Sequence, residues 1–393
     1  MNPLRLLMVT PRYWPLVGDT ERVTTRLANE FCARGCPTTI LTARWHTDWP
    51  ETVSHRDAVV KRLPGSPRGG WTTFSYMRAL SRWIRRHQSE FDIVYVMNLR
   101  QDAYAVVGAL QSSAPPVVLR AQRAGATGDC DWQDHARFGK RIRRRCHAAD
   151  AIIASTDASV DELLRAGYSS IHKIEYGAEE IEPRSAASRF HARAALADVN
   201  QDLEVAEFAP VAICVDRFAE GRGLADLIRA WLPIADRWPS AKLWLIGDGP
   251  LRDSLYERVV DLGLRQQISM PGSFDELSEL YHAADLFVSP SPDYGTSQAL
   301  VEAMAGGLPI IATDTPDVRE MIDHGSHGYC VPSENRKQLS ERIAQLFEAT
   351  ELALQYGLAV RRRANECFSL AHVVDNHLAL FEQLVNSAPR GIA

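Results

Sequence analysis

No stretch of this 393-residue chain approaches the roughly 20 apolar residues that a membrane-spanning helix requires. The early apolar run 4–9 carries Arg5 inside it and reads as a first buried strand, not as a secretory signal. Cysteine is scarce: Cys32, Cys36, Cys130, Cys146, Cys214, Cys330 and Cys367 are odd in number and contain no CxxC pair. Neither a disulfide framework nor a zinc ribbon is expected, and free thiols in a reducing cytosol are the plain reading. Basic charge is not in excess. With 44 Lys+Arg against 49 Asp+Glu the formal net charge is −5, which argues against a nucleic-acid partner held by overall charge. A composition of 46% hydrophobic and 24% charged residues also excludes wholesale disorder.

What the chain does have is alternation. Short apolar runs at 5–10, 38–43, 93–98, 117–121 and 151–156 alternate with helical patterns. Val23, Leu27 and Phe31 mark one helix, stopped at Gly35. A second is predicted to start at Ser159, with Ser159 and Glu162 as a capping box, and to end at Gly167. From 181 to 208 strand character is lost and alanine and charge dominate, as in a linker with room for a short helix. A second series follows at 211–215, 242–246, 267–270, 286–289, 309–312 and 329–331. The expected fold is α/β: two Rossmann-like doubly wound domains, 1–182 and 209–368, joined by a linker 183–208 and followed by a helix at 369–388. Such sheets bind ligands outside the carboxyl ends of their strands, so the space between two facing sheets is the expected site.

The most informative segment runs Ser289-Pro-Ser-Pro-Asp-Tyr-Gly-Thr-Ser-Gln-Ala-Leu-Val-Glu302, then Ala-Met-Ala-Gly-Gly-Leu-Pro309. It spells strand, polar loop, helix, glycine pair, strand. A helix capped by Thr296 or Ser297 would present free N–H groups and a positive dipole end to a diphosphate. Glu302, less than two turns in, could lean back to accept hydrogen bonds from ribose hydroxyls. The bland alternative is an ordinary βαβ unit with Glu302 in solvent.

This segment resembles the donor signature of the family-4 retaining glycosyltransferases, in which two glutamates eight apart precede an EAMA-x-G-x-P run. Val215-Asp-Arg-Phe-Ala-Glu-Gly-Arg-Gly223, Gly247-Asp-Gly-Pro250, Ala283-Ala-Asp-Leu-Phe-Val-Ser-Pro290 and Pro15-Leu-Val-Gly-Asp-Thr-Glu-Arg22 extend the likeness over nearly the whole chain. The resemblance implies a GT-B fold whose last helix crosses back to the first domain. It implies Arg217 and Arg222 as a diphosphate clamp, with Glu302 completing the catalytic set. Gly18, Gly247, Gly272, Tyr294, Gly295, Thr296 and Ser297 would complete the donor contacts. No metal is implied, since no DxD-like carboxylate pair stands where the phosphate contacts fall, and no cofactor is required; the nucleoside-diphosphate sugar is the donor substrate.

Two positions depart from the pattern. Tyr294 stands where the first glutamate belongs, and a neutral phenol cannot offset a developing oxocarbenium charge. Asp19 follows Gly18 where a second glycine is usual. On the acceptor side, the loop after 117–121 offers Arg120, Asp129 and Trp132, with Asp19 as a further candidate; loop scaffolding is the alternative role. Basic residues Arg137, Lys140, Arg141, Arg143, Arg144 and Arg145, with Trp83, Arg85 and Arg86, form either a solvated helix face or a contact with anionic lipid. The expected function is transfer of a sugar from a UDP- or GDP-type donor to a saccharide or lipid-linked acceptor, with retained anomeric configuration. The enzyme would be cytoplasmic, with peripheral contact at the inner face of the membrane as the variant. The alternative function, motivated by Tyr294, is a non-catalytic nucleotide-binding or partner subunit.

Overall fold

Runs of apolar residues buried on both faces pair in parallel when helices can cover them, and most strands here are of that kind. The structure, a computed structural model, describes residues 3–110, 115–292 and 298–387. Eight strands form the first sheet: β1 (Leu6–Val9), β2 (Thr38–Ala43), β3 (Thr52–His55), β4 (Ala58–Leu63), β5 (Ile93–Val96), β6 (Val117–Arg120), β7 (Ala151–Ala154) and β8 (Ile171–Lys173). Their order is β3-β4-β2-β1-β5-β6-β7-β8, parallel except for the β3–β4 pair. The second sheet holds β9 (Val211–Val215), β10 (Lys242–Ile246), β11 (Ile268–Gly272), β12 (Leu286–Ser289), β13 (Ile310–Thr313) and β14 (Gly328–Val331). Its order is β11-β10-β9-β12-β13-β14, all parallel.

Side chains alternate between the two faces of each strand. In β1, Leu7 and Val9 enter one apolar core while Leu6 and Met8 enter the other. The chain divides into two compact units, one comprising Met1–Tyr176 with Leu370–Ala393, the other Gly177–Ser369. Helix Leu370–Ser387 packs in the first unit, where Phe381 meets Phe31 with ring centroids 5.8 Å apart.

One local reading is corrected, at the start of a helix. Helix Asp157–Arg165 begins two residues before Ser159: Thr156 is its cap and accepts the Ser159 N–H, while Glu162 accepts the N–H of Gly125. Threonine at 156 reaches the free N–H first, so the serine falls in the third helical position. Residues 183–208 were expected as a linker with room for a short helix. They hold helix Ala186–Val199, capped by a Ser185–Ser188 box, and belong to the second unit. Arg189 and Arg193 from this segment converge on Asp285, at 3.2 and 3.1 Å, and Arg184 stands 3.6 Å from the same carboxyl. Finally, β3, β4 and β8 were not evident from sequence. β3 and β8 are short, partly exposed edge strands, and such strands carry little apolar signal.

Candidate active site

In the second unit, the loops leaving β9, β10 and β12 meet at the carboxyl edge of the sheet. Glycine makes this possible. Gly223 has φ 68°, and a Cβ there would lie 2.1 Å from the Pro290 carbonyl oxygen. Gly247, φ 145°, would put a Cβ 1.9 Å from the Asp216 carbonyl oxygen. No L side chain fits either place. The Gly247 N–H donates to the Gly272 carbonyl at 2.9 Å, which ties the β10 loop to the end of β11.

The two expected clamp residues sit in the loop after β9 but in different surroundings. Arg217 is exposed, its backbone N–H donating to Asp216 Oδ1 at 2.7 Å. Arg222 is 7% exposed, with Nε 3.9 Å from Asp216 Oδ1. Arg222 lines a cavity of about 310 Å³ together with Gly221, Gly223, Pro290, Thr313 and Arg336. Arg217 is not in that lining, so one guanidinium is held inward and the other is free to reach out.

Glu302 lies in helix Gln298–Ala305, every residue of which is buried. The solvent-facing alternative is therefore excluded: Glu302 is 1% exposed and its Oε2 accepts from the Tyr281 hydroxyl at 3.2 Å. Gln298 Nε2 donates to the Gly177 carbonyl at 2.7 Å, anchoring the first described turn of that helix to the start of the unit. Tyr294, Gly295, Thr296 and Ser297 lie outside the described residues.

In the first unit, Gly18 precedes helix Asp19–Ala33 in an extended conformation. The Asp19 carboxylate, which would repel a phosphate, is held by Arg22 at 2.9 Å and Arg123 at 2.7 Å. Two acceptor candidates turn out to be internal. Asp129 is 1% exposed, accepting from the N–H groups of Leu99 and Gln122 and from Arg100 Nε; it fastens the loop. Arg120 is 3% exposed beneath helix Leu370–Ser387. Its Nη1 donates to the Tyr95 hydroxyl at 3.3 Å and lies 3.4 Å from His377 Nε2, and its guanidinium covers the Tyr176 ring. Trp132 is half-buried and lines a second cavity with Arg100, Thr127, Asp131 and His135. Of the basic run, Arg143 pairs with Asp134 and Arg145 covers Tyr104, while Arg137, Lys140, Arg141 and Arg144 are exposed. Trp83 packs on His87 and the core. Among the described residues no helix is long and apolar enough to cross a membrane.

Sequence reasoning missed the Asp285 network and the burial of Arg120. Asp285 had a signal, in that it stands within the motif 283–290; Arg120 had none, because its cover arrives more than 250 residues later.

Residues 209–349 match the family model described as Glycosyl transferases group 1, and residues 20–178 match that described as Glycosyltransferase Family 4. N-acetyl-alpha-D-glucosaminyl L-malate synthase of Bacillus anthracis is 23% identical over 280 residues, 67% of this chain and 73% of that protein. Among solved structures, sucrose-phosphate synthase from Thermosynechococcus elongatus superposes with a TM-score of 0.79 at 18% identity, covering 98% of this chain and 100% of that one. Anabaena HepE in complex with UDP-glucose gives 0.76 at 18% identity, covering 97% and 100%. Both structures share the two-sheet GT-B architecture described above. With a family match on each half and the signature motifs in order along the strand ends, this chain belongs to the glycosyltransferases of group 1 and family 4, in the GT-B fold.

Proposed function

We propose that this glycosyltransferase moves a hexosyl group from a UDP- or GDP-linked donor to a saccharide or lipid-linked acceptor, with retained anomeric configuration and no required metal. The observation that carries the reading is the strand-end loop of the second unit that bears Arg217 and Arg222, with Arg222 lining a cavity, together with the buried glutamate of helix Gln298–Ala305. In the step itself, the anomeric C–O bond to the β-phosphate breaks and its electron pair leaves with the nucleoside diphosphate. The acceptor hydroxyl forms the new C–O bond on the same face, and its proton passes to the departing phosphate. Arg217 and Arg222 stabilise the charge that grows on that phosphate, and charge-assisted contacts of this kind contribute about 1.5–3 kcal/mol each. Glu302 binds the ribose hydroxyls.

HepE was solved with UDP-glucose, so that donor is the first to try. Arg217→Ala should weaken binding of UDP or GDP by about 10- to 100-fold, as loss of one such contact implies. Calorimetry showing wild-type affinity in that variant would remove the diphosphate assignment.

A second reading follows from Tyr294: a non-catalytic subunit that binds nucleotide. Nucleotide release from a panel of UDP- and GDP-sugars separates the two. Tight binding without turnover on any acceptor, unchanged by Tyr294→Glu, favours the subunit; turnover in the unaltered protein favours the enzyme.

A further inference from the structure

Strands β1, β2 and β4 run parallel and end on one edge of the first sheet, and the segments after them carry Arg12, Trp14, Arg44, Trp45, Trp49 and Arg68. These side chains interleave. Trp45 carries two guanidinium groups, those of Arg12 and Arg68, at 5.6 and 5.5 Å from its ring centroid. Its indole N–H donates to the Pro11 carbonyl at 2.8 Å, and Arg68 Nη2 donates to the Trp45 carbonyl at 2.6 Å, so the trio is fixed to backbone. Arg62, at the end of β4, is 4% exposed and packs against Trp14 and Trp49, 5.9 and 5.3 Å from their centroids. Its Nη atoms donate to the carbonyls of Pro50 and Trp14, and its Nε has no acceptor among the described residues.

The charge here is unbalanced. Arg12 is matched by Glu21 at 2.8 Å and Arg44 by Glu51 at 3.1 Å. Arg62 and Arg68 contact only carbonyls and rings among the described residues. Burial with no nearby anion draws the Arg62 pKa down, the signature of a cation whose counter-charge is missing. Trp71, three residues beyond Arg68, and Phe74, three further on, stand 79% and 53% exposed with ring centroids 5.4 Å apart. Large apolar faces left in water a few residues along the chain from an exposed guanidinium with no carboxylate partner among the described residues suit a ligand with both a ring and an anion.

We propose that this strand-end arginine–tryptophan cluster is an acceptor-side subsite for a saccharide that bears a phosphate or carboxylate group. Arg68, backed by Arg62, meets the anion, and Trp71 with Phe74 covers a sugar ring. Calling it the acceptor side rests on the glycosyl-transfer reading above; the binding itself does not.

The test uses the full chain without nucleotide, titrated with glucose 6-phosphate, glucuronate, glucose and inorganic phosphate while tryptophan fluorescence is followed. One or both charged sugars should bind at least about 10-fold more tightly than glucose and than inorganic phosphate, a difference of about 1.4 kcal/mol. Arg68→Gln and Trp71→Ala, both surface changes, should each weaken that binding about fivefold or more with UDP affinity and Tm unchanged, because the losses are local. Equal binding of glucose, equal binding of bare phosphate, or indifference to both substitutions overturns the proposal. So does capture by phosphatidylglycerol vesicles through Arg68 and Trp71 without charged-sugar binding. Loss of the nucleotide assignment through Arg217→Ala would leave these titrations as they are, so the two failures are distinguishable.

Discussion

One carboxylate of the second unit serves four groups. Asp285 accepts from Arg189, Arg193 and the Val211 N–H, with Arg184 close by. Burial pulls the Arg193 pKa down to about 10, and Asp285 opposes that shift. Asp285→Ala would leave these guanidinium groups without their anion, which costs about 3–5 kcal/mol when a buried pair is broken. A fall in Tm of about 10 °C is expected for a unit of this size; a loss under 2 °C would show that water replaces the carboxylate. Gly223→Ala tests the loop junction. Its φ and its approach to Pro290 leave no room for a methyl, so Tm and nucleotide affinity should fall together. At this scale the sequence was partly legible. Glu302 stood in a motif, whereas Arg120 looked like a loop residue because burial is decided by a helix far along the chain.

That helix, Leu370–Ser387, shows how an element can impose a protonation state. His377 Nδ1 lies 2.7 Å from the Val373 carbonyl and its Nε2 lies 3.1 Å from the Tyr95 hydroxyl. The pattern fits a neutral ring that donates through Nδ1 and accepts through Nε2. Burial, then the Arg120 charge, pushes its pKa down to about 3. The unfolded chain takes up a proton near pH 6.5 while the folded chain resists. Stability present above pH 6.5 therefore drains as pH falls toward 3, at about 1.4 kcal/mol per unit. His377→Gln, which keeps an acceptor but cannot ionise, should flatten the loss between pH 6 and 4 in urea melts; an unchanged slope would assign the acid sensitivity elsewhere. Among elements, buried parallel strands were readable as apolar runs. β3 and β4 were not, since a partly exposed hairpin mixes Thr, Ser and His with its apolar residues, and the Ala186–Val199 helix was foreseen only as a short helix within a linker.

Over the whole molecule, the alternation of strands and helices was enough to give two doubly wound sheets, because parallel sheets impose that rhythm on any sequence. Ligand chemistry at the strand ends was less legible, since it depends on which loops converge. Saturating UDP or GDP should stabilise the chain by about 2.7 kcal/mol at a hundredfold excess over Kd. A melting temperature indifferent to both nucleotides would count against the donor assignment.

The chain leaves the first unit after Tyr176 and re-enters it at Leu370. At that junction the Ala178 N–H donates to the Phe368 carbonyl at 2.9 Å, and Ala178 bridges Ser369. Entry and exit thus run shoulder to shoulder, which makes the second unit a cassette looped out of the first. Gly177–Ser369 excised as one piece should fold alone, and a few glycines should suffice to seal the gap left behind.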